Sequence, residues 1–152
     1  MFGLLTDSSV IVDMHATSKK QALQELASKA SKITGQPERV IFDTLLERER
    51  LGTTGVGRGI AIPHGKLPDL NKVYGIFAKL REPVDFDSVD DQPVDLIFLL
   101  LAPTEAGADH LKALARVARL LRNDDLCRKL RGCDHIDGVL ALVNETAEAH
   151  AA

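Results

Sequence analysis

Several things the chain has little of narrow its chemistry. Only two cysteines occur, Cys127 and Cys133, too few and too plainly placed for a disulfide framework. A reducing cytoplasm is the expected compartment. No excess of positive charge exists either: the net charge is −3, so no basic field invites nucleic acid or an anionic membrane. The longest apolar run, Leu96 to Ala102, is far too short to span a bilayer. No basic leader opens the chain, because Met1 to Met14 lacks lysine and arginine and is interrupted by Asp7 and Asp13. Repeats and low-complexity blocks are missing too, apart from a tail, Thr146 to Ala152, expected to fray.

The familiar catalytic signatures are also missing. A nucleotide P-loop needs Gly-Lys-Ser/Thr, whereas Gly65-Lys66 is followed by Leu67-Pro68. The glycines at 55, 57 and 59 run G-x-G-x-G, not the G-x-G-x-x-G of a dinucleotide site. None of the five histidines, His15, His64, His110, His135 and His150, pairs with another at the spacing of a local metal site. Cys133 and His135 lack a third ligand, and Asp85, Asp87, Asp90 and Asp91 lack the glycine and glutamate of a calcium loop. Cys127 has no specified base beside it, and no G-x-S-x-G elbow occurs. No cofactor and no metal are expected.

What remains is an ordinary globular composition, 45% hydrophobic and 27% charged, in 152 residues that predict one domain, 1–152. Ser9 to Asp13 predicts a strand. Ser18 and Gln21 predict a capping box, followed by a helix through Ala22, Leu23, Leu26, Ala27, Ala30 and Ile33 that Gly35 closes. Pro37 opens a second helix with the stripe Val40, Ile41, Thr44 and Leu45, and Arg48 at the exit of that stripe. Gly52 to Gly59 (GTTGVGRG) predicts a loop. Ile60–Ile62, Val73–Leu80, Val84–Phe86 and Asp95–Leu101 predict strands, the last apolar enough to be covered on both faces. Asp109 predicts an N-cap with His110 first in a helix whose stripe is Leu111, Leu114, Ala115, Ala118 and Leu121. A short helix from Asn123, closed by Gly132, and a last helix from Asp134 complete the chain. The fold class expected is α/β, three layers, with a mixed sheet of about five strands flanked by helices on both faces.

Within this frame GIAIPHGK, residues 59–66, places a histidine between proline and glycine. His64 is either an inconsequential turn residue or an imidazole presented outward as a nucleophile, reactive near neutral pH. Its surroundings bear on the choice. Arg48, the Thr53 and Thr54 hydroxyls, the loop amides around Gly55 and Gly65, and His110 at a helix start together describe a pocket for a phosphoryl group.

The segments RExLGTTG from Arg48, GIAIPHG from Gly59 and HLxxLA from His110 resemble the IIA domain of the bacterial phosphotransferase system, fructose/mannitol class. Within that class the nitrogen-regulatory (IIA-Ntr) branch is the best match. The resemblance implies that His64 accepts phosphate from an HPr-like (NPr-type) carrier. It implies that His110 contacts the phosphoryl group and that Arg48, with Arg50 as the near alternative, stabilises its charge. It further implies regulatory targets such as sensor kinases or transporters, with no nucleic acid and no membrane insertion. A one-domain chain without a cysteine-bearing IIB segment suits a regulator. A sugar-uptake IIA that passes phosphate to a separate IIB, or an unphosphorylated IIA-like module, are the alternatives.

Overall fold

A computed structural model of the chain describes residues 3–151. Six strands form one mixed sheet: β1 (Val10–Met14), β2 (Gly55–Gly57), β3 (Ile60–Ala61), β4 (His64–Leu67), β5 (Tyr74–Val84) and β6 (Val94–Pro103). The order is β1-β5-β6-β3-β2, and β4 also pairs with β6, beyond β3 on the same edge. β1 runs parallel to β5, β5 antiparallel to β6, and both β3 and β4 parallel to β6. Helices α1 (Lys19–Thr34) and α2 (Glu38–Leu51) cover one face. The other is covered by α3 (Gly107–Leu121), α4 (Asp124–Arg131) and α5 (Ile136–Ala151).

The three layers follow from β6. From Leu96 to Leu101 its side chains alternate between two cores, as period-two strand geometry requires. Leu96, Phe98 and Leu100 pack with α3, α4 and α5, whereas Ile97, Leu99 and Leu101 pack with α1 and α2. All six are buried, so the continuous apolar run needs helices on both sides.

The caps of α1 and α4 lie where the sequence places them. The Ser18 hydroxyl accepts from the Gln21 amide at 3.1 Å, and the Asn123 side chain accepts from the Leu126 amide at 3.0 Å. Gly35 ends α1 at a left-handed φ of 77°. The Gln21 carboxamide, however, binds the amide and hydroxyl of Thr17 instead of returning to Ser18.

Other expectations need correction. The strand count rises from about five to six because the glycine segment is not all loop. Gly55–Gly57 and Ile60–Ala61 form an antiparallel hairpin closed by Arg58 and Gly59, with φ of 57° and 78°. Positive φ at both turn residues matches the twist of a tight hairpin, and glycine supplies one of them without strain. Val84 is not a separate strand but the end of an 11-residue β5. In α2 the stripe is Ile41, Leu45 and Glu49, with Val40 exposed. In α3 it is His110, Ala113, Val117, Leu120 and Leu121, and Leu111 is 65% exposed. The expected phase of α3 was one residue off, because an apolar count treats histidine as a surface residue. The tail expected to fray falls within α5 as far as Ala151; Ala152, like Met1 and Phe2, lies outside the described residues.

Candidate functional site

His64 opens β4 rather than sitting in a turn. Pro63 has no N–H and breaks the ladder between β3 and β4, yet its carbonyl still accepts from the Leu100 amide at 3.0 Å. The chain therefore resumes pairing with β6 at once, His64 opposite Leu100 and Gly65 opposite Leu101. Leu100 faces the α3 layer and Leu101 the α2 layer, so His64 turns toward α3 and Gly65 toward α2.

This register changes the role of Gly65. Its expected function was to let the chain turn; in the structure it lets α2 come close. A Cβ at position 65 would lie 2.9 Å from Thr44 Cγ2. Thr44 cannot easily swing aside, since its hydroxyl donates to the Val40 carbonyl at 2.8 Å and its χ1 is stiff. Gly65→Ala is expected to cost about 1–3 kcal/mol through overpacking. The urea midpoint measures the loss, and Thr44→Ser, which removes only the clashing methyl, should restore most of it.

The two imidazoles meet over this strand. Their ring centroids are 5.7 Å apart with planes tilted by 48°. His64 Nδ1 lies 2.8 Å from the Ile62 carbonyl oxygen. A carbonyl only accepts, so Nδ1 carries the hydrogen of the neutral ring and Nε2 keeps the free lone pair. The ring is half-buried and its backbone is fixed on both sides, so the lone pair is held in position.

His110 sits differently from its expected place. α3 begins at Gly107, and the His110 amide already donates to Ala106 O at 2.9 Å. Asp109 is therefore inside the first turn and caps nothing. His110 still lies near the positive end of the helix, but its side chain points inward and is 7% exposed. Its Nδ1 has no hydrogen-bond partner among the described residues. A buried polar nitrogen without a partner costs free energy, and a ligand that supplies one is bound more tightly for it.

Burial above all, with help from the His64 and Lys66 charges, holds the His110 pKa below the usual imidazole range. The folded ring therefore binds its proton less readily than the unfolded one. Stability attributable to His110 is present at neutral pH and is lost as pH falls through the ordinary histidine range. Urea midpoints between about pH 7.5 and 5 should fall less steeply in His110→Gln than in the natural chain.

Arg48 completes the group. It leaves the last turn of α2 half-buried, and its Nη1 donates to the Gly52 carbonyl at 2.8 Å. Its remaining N–H groups have no other acceptor among the described residues and face a cleft of about 580 Å³ shared with His64, Gly65 and His110. Arg50 is exposed and does not line the cleft. Helical phase thus separates the two arginines.

Thr53, Thr54 and Gly55 are not brought into this group. The Thr54 amide lies 3.2 Å from both Glu49 carboxylate oxygens, and its hydroxyl also donates to Glu49. The Thr53 hydroxyl donates to Phe86 O at 2.6 Å and accepts from the Gly55 amide at 3.0 Å. The loop does face an anion, but that anion is the protein's own Glu49. Sequence reasoning missed Glu49, although it continues the buried stripe at i+4 from Leu45. It also missed Lys66, which lines the cleft.

Depressions elsewhere have a different character. One of about 560 Å³ beside β1 and β5 holds Asp13, Lys79, Arg81, Asp95, Arg131 and Asp134. These pair among themselves as Arg81–Asp13, Lys79–Asp134 and Arg131–Asp95. Among the described residues no group of three histidines, cysteines or acids could hold a metal ion. Nor is any described helix long and apolar enough to cross a membrane.

Comparison with known proteins identifies the family and the fold. Residues 3–146 match the family described as phosphoenolpyruvate-dependent sugar phosphotransferase system, EIIA 2. A nitrogen regulatory protein of Bradyrhizobium diazoefficiens is 59% identical over 147 residues, covering 95% of this chain and 96% of that protein. One from Escherichia coli K12 is 41% identical over 134 residues, covering 88% and 82%. The crystal structure of nitrogen regulatory protein IIA-Ntr from Neisseria meningitidis superposes with a TM-score of 0.88 at 34% identity, covering 93% of this chain and 97% of that one. The fold and the sequence agree, and the chain belongs to the type-2 enzyme IIA family of the phosphotransferase system, among relatives of the nitrogen-regulatory kind.

Proposed function

We propose that the chain is a phosphoryl carrier that accepts its group on Nε2 of His64 from the phosphohistidine of an HPr-like, NPr-type protein. Its phosphorylation state then governs binding to regulatory targets such as sensor kinases or transporters in nitrogen, carbon or potassium metabolism. The observation that carries this reading is the His64 Nδ1–Ile62 carbonyl bond, which leaves Nε2 unprotonated beside His110.

In the transfer step the P–N bond to the donor imidazole breaks and a P–N bond to His64 Nε2 forms. The electron pair of the broken bond returns to the donor ring. The hydrogen on His64 Nδ1 stays where it is, and a donor ring carrying a hydrogen on its other nitrogen leaves as neutral imidazole, so no proton need move. Phosphoryl transfer demands in-line positioning and stabilisation of spread negative charge rather than covalent participation by other groups. Arg48 supplies that charge from α2, and His110 supplies a ring nitrogen from α3. Leu51, 84% exposed at the cleft, gives the rim an apolar surface on which a donor protein can dock.

The test is incubation with phosphoenolpyruvate and the upstream carriers, followed by mass spectrometry. One acid-labile phosphate is expected on His64. Faster transfer from a nitrogen-type carrier than from sugar-type HPr supports the regulatory role. Efficient onward passage to a IIB protein would move the reading to sugar uptake.

A further inference from the structure

Lys66 follows His64 by two residues on β4, and strand side chains at i and i+2 share a face. It lines the same cleft as His64, His110 and Arg48. Lys19 pairs with Glu49 at 2.8 Å and Lys79 with Asp134 at 3.0 Å, both away from this cleft. Lys66 has neither an ion pair nor a hydrogen bond among the described residues. The acids of the cleft, Asp43 and Glu47, stand on α2 and do not pair with it. Its charge nevertheless reaches the reactive pair, since it contributes to the depressed pKa of His110.

Lys66 is exposed, and its unpartnered ammonium adds positive charge to the β4 wall that carries His64. A phosphoryl group brings up to about two negative charges into this half-buried space. Arg48 faces it from one wall only. We propose that Lys66 is a further phosphoryl-contacting residue, supplying a second positive charge to the group as it reaches His64 and after it has bonded there. The proposal rests on His64 as the acceptor. Lys66 keeps its protons throughout; its flexible stem carries a compact charge that follows the phosphoryl oxygens, where the Arg48 fork is fixed by Gly52.

The test compares Lys66→Met and Lys66→Arg with the natural chain in rapid-quench transfer from a phosphorylated HPr-like carrier. At saturating donor, the maximal rate should fall about tenfold in Lys66→Met, and Lys66→Arg should recover most of it. A maximal rate within about twofold of the natural one overturns the proposal, as does a loss confined to KM or an arginine variant as slow as the methionine one. A second readout needs no transfer. In the unphosphorylated protein, NMR titration should show the His110 pKa higher in Lys66→Met, and an unmoved value overturns the placement of the charge. Failure of the natural chain to take up phosphate would count against His64 instead, with the titration still deciding whether Lys66 reaches the pair.

Discussion

Replacing His64 with alanine is expected to reduce phosphate uptake to background while leaving the fold intact. The imidazole Nε2 is the atom that would bond phosphorus, and no neighbouring group can substitute for it in the same geometry. His110 is the nearest alternative nucleophile, but it is buried, one layer away, and without a carbonyl to fix its tautomer. Structural cost should be small, since the side chain is half-buried and forms one hydrogen bond, to Ile62, worth about 1 kcal/mol. The urea midpoint should therefore move little while labelling disappears. His110→Ala makes the informative contrast: labelling on His64 should persist but arise more slowly, because a contact that stabilises the group is gone while the acceptor remains. Persistent labelling of His64→Ala, or an adduct on His110, would sink the assignment.

How much of this site could be read from sequence depends on the kind of signal. Caps are local chemistry, so Ser18, Gly35 and Asn123 were legible from a few residues each. The β6 run was legible because burial on both faces leaves no polar position in it. His64 stood out through a phosphoryl pocket read from residues distant in sequence and through a motif resemblance; its proline and glycine neighbours alone favoured a turn residue. Their actual roles are tertiary. Pro63 splits one strand into two, and Gly65 admits a threonine from another element, which no local pattern encodes. The glycine segment misled for a similar reason: its donors were ready for an anion, but the partner lay in the preceding helix. Counting apolar residues also misplaced the face of α3, since the site needs histidine inside and a leucine outside. At such positions functional demands override the hydrophobic pattern.

Glu49→Ala should be the most destabilising single change near the site. The carboxylate is 7% exposed and accepts from Lys19 Nζ at 2.8 Å and from the amide and hydroxyl of Thr54. Removing it leaves the Thr54 amide and hydroxyl without an acceptor and takes from Lys19 its nearest carboxylate, leaving the ammonium Asp87 at 3.6 Å and the Phe86 carbonyl at 3.3 Å. Breaking one partner of a fully buried pair costs about 3–5 kcal/mol, and because Lys19 keeps other partners the loss here should be about 3 kcal/mol, lowering the melting temperature by roughly 10 °C. Glu49→Gln should cost less, because its oxygen can still accept from Thr54 while offering no charge to Lys19. The double change Glu49→Leu with Lys19→Met should cost less than the sum of its parts, since neither charge is then left alone. The effect should also reach transfer. Thr54 O accepts from the Ile62 amide at 3.0 Å, and the Ile62 carbonyl in turn holds His64 Nδ1. Loosening Thr54 therefore loosens the orientation of the acceptor ring, two hydrogen bonds away. Chemical denaturation together with the rate of phosphate uptake checks both effects. A Glu49→Ala variant within about 1 kcal/mol of the natural chain, transferring at the natural rate, would show that the network neither braces the loop nor orients His64.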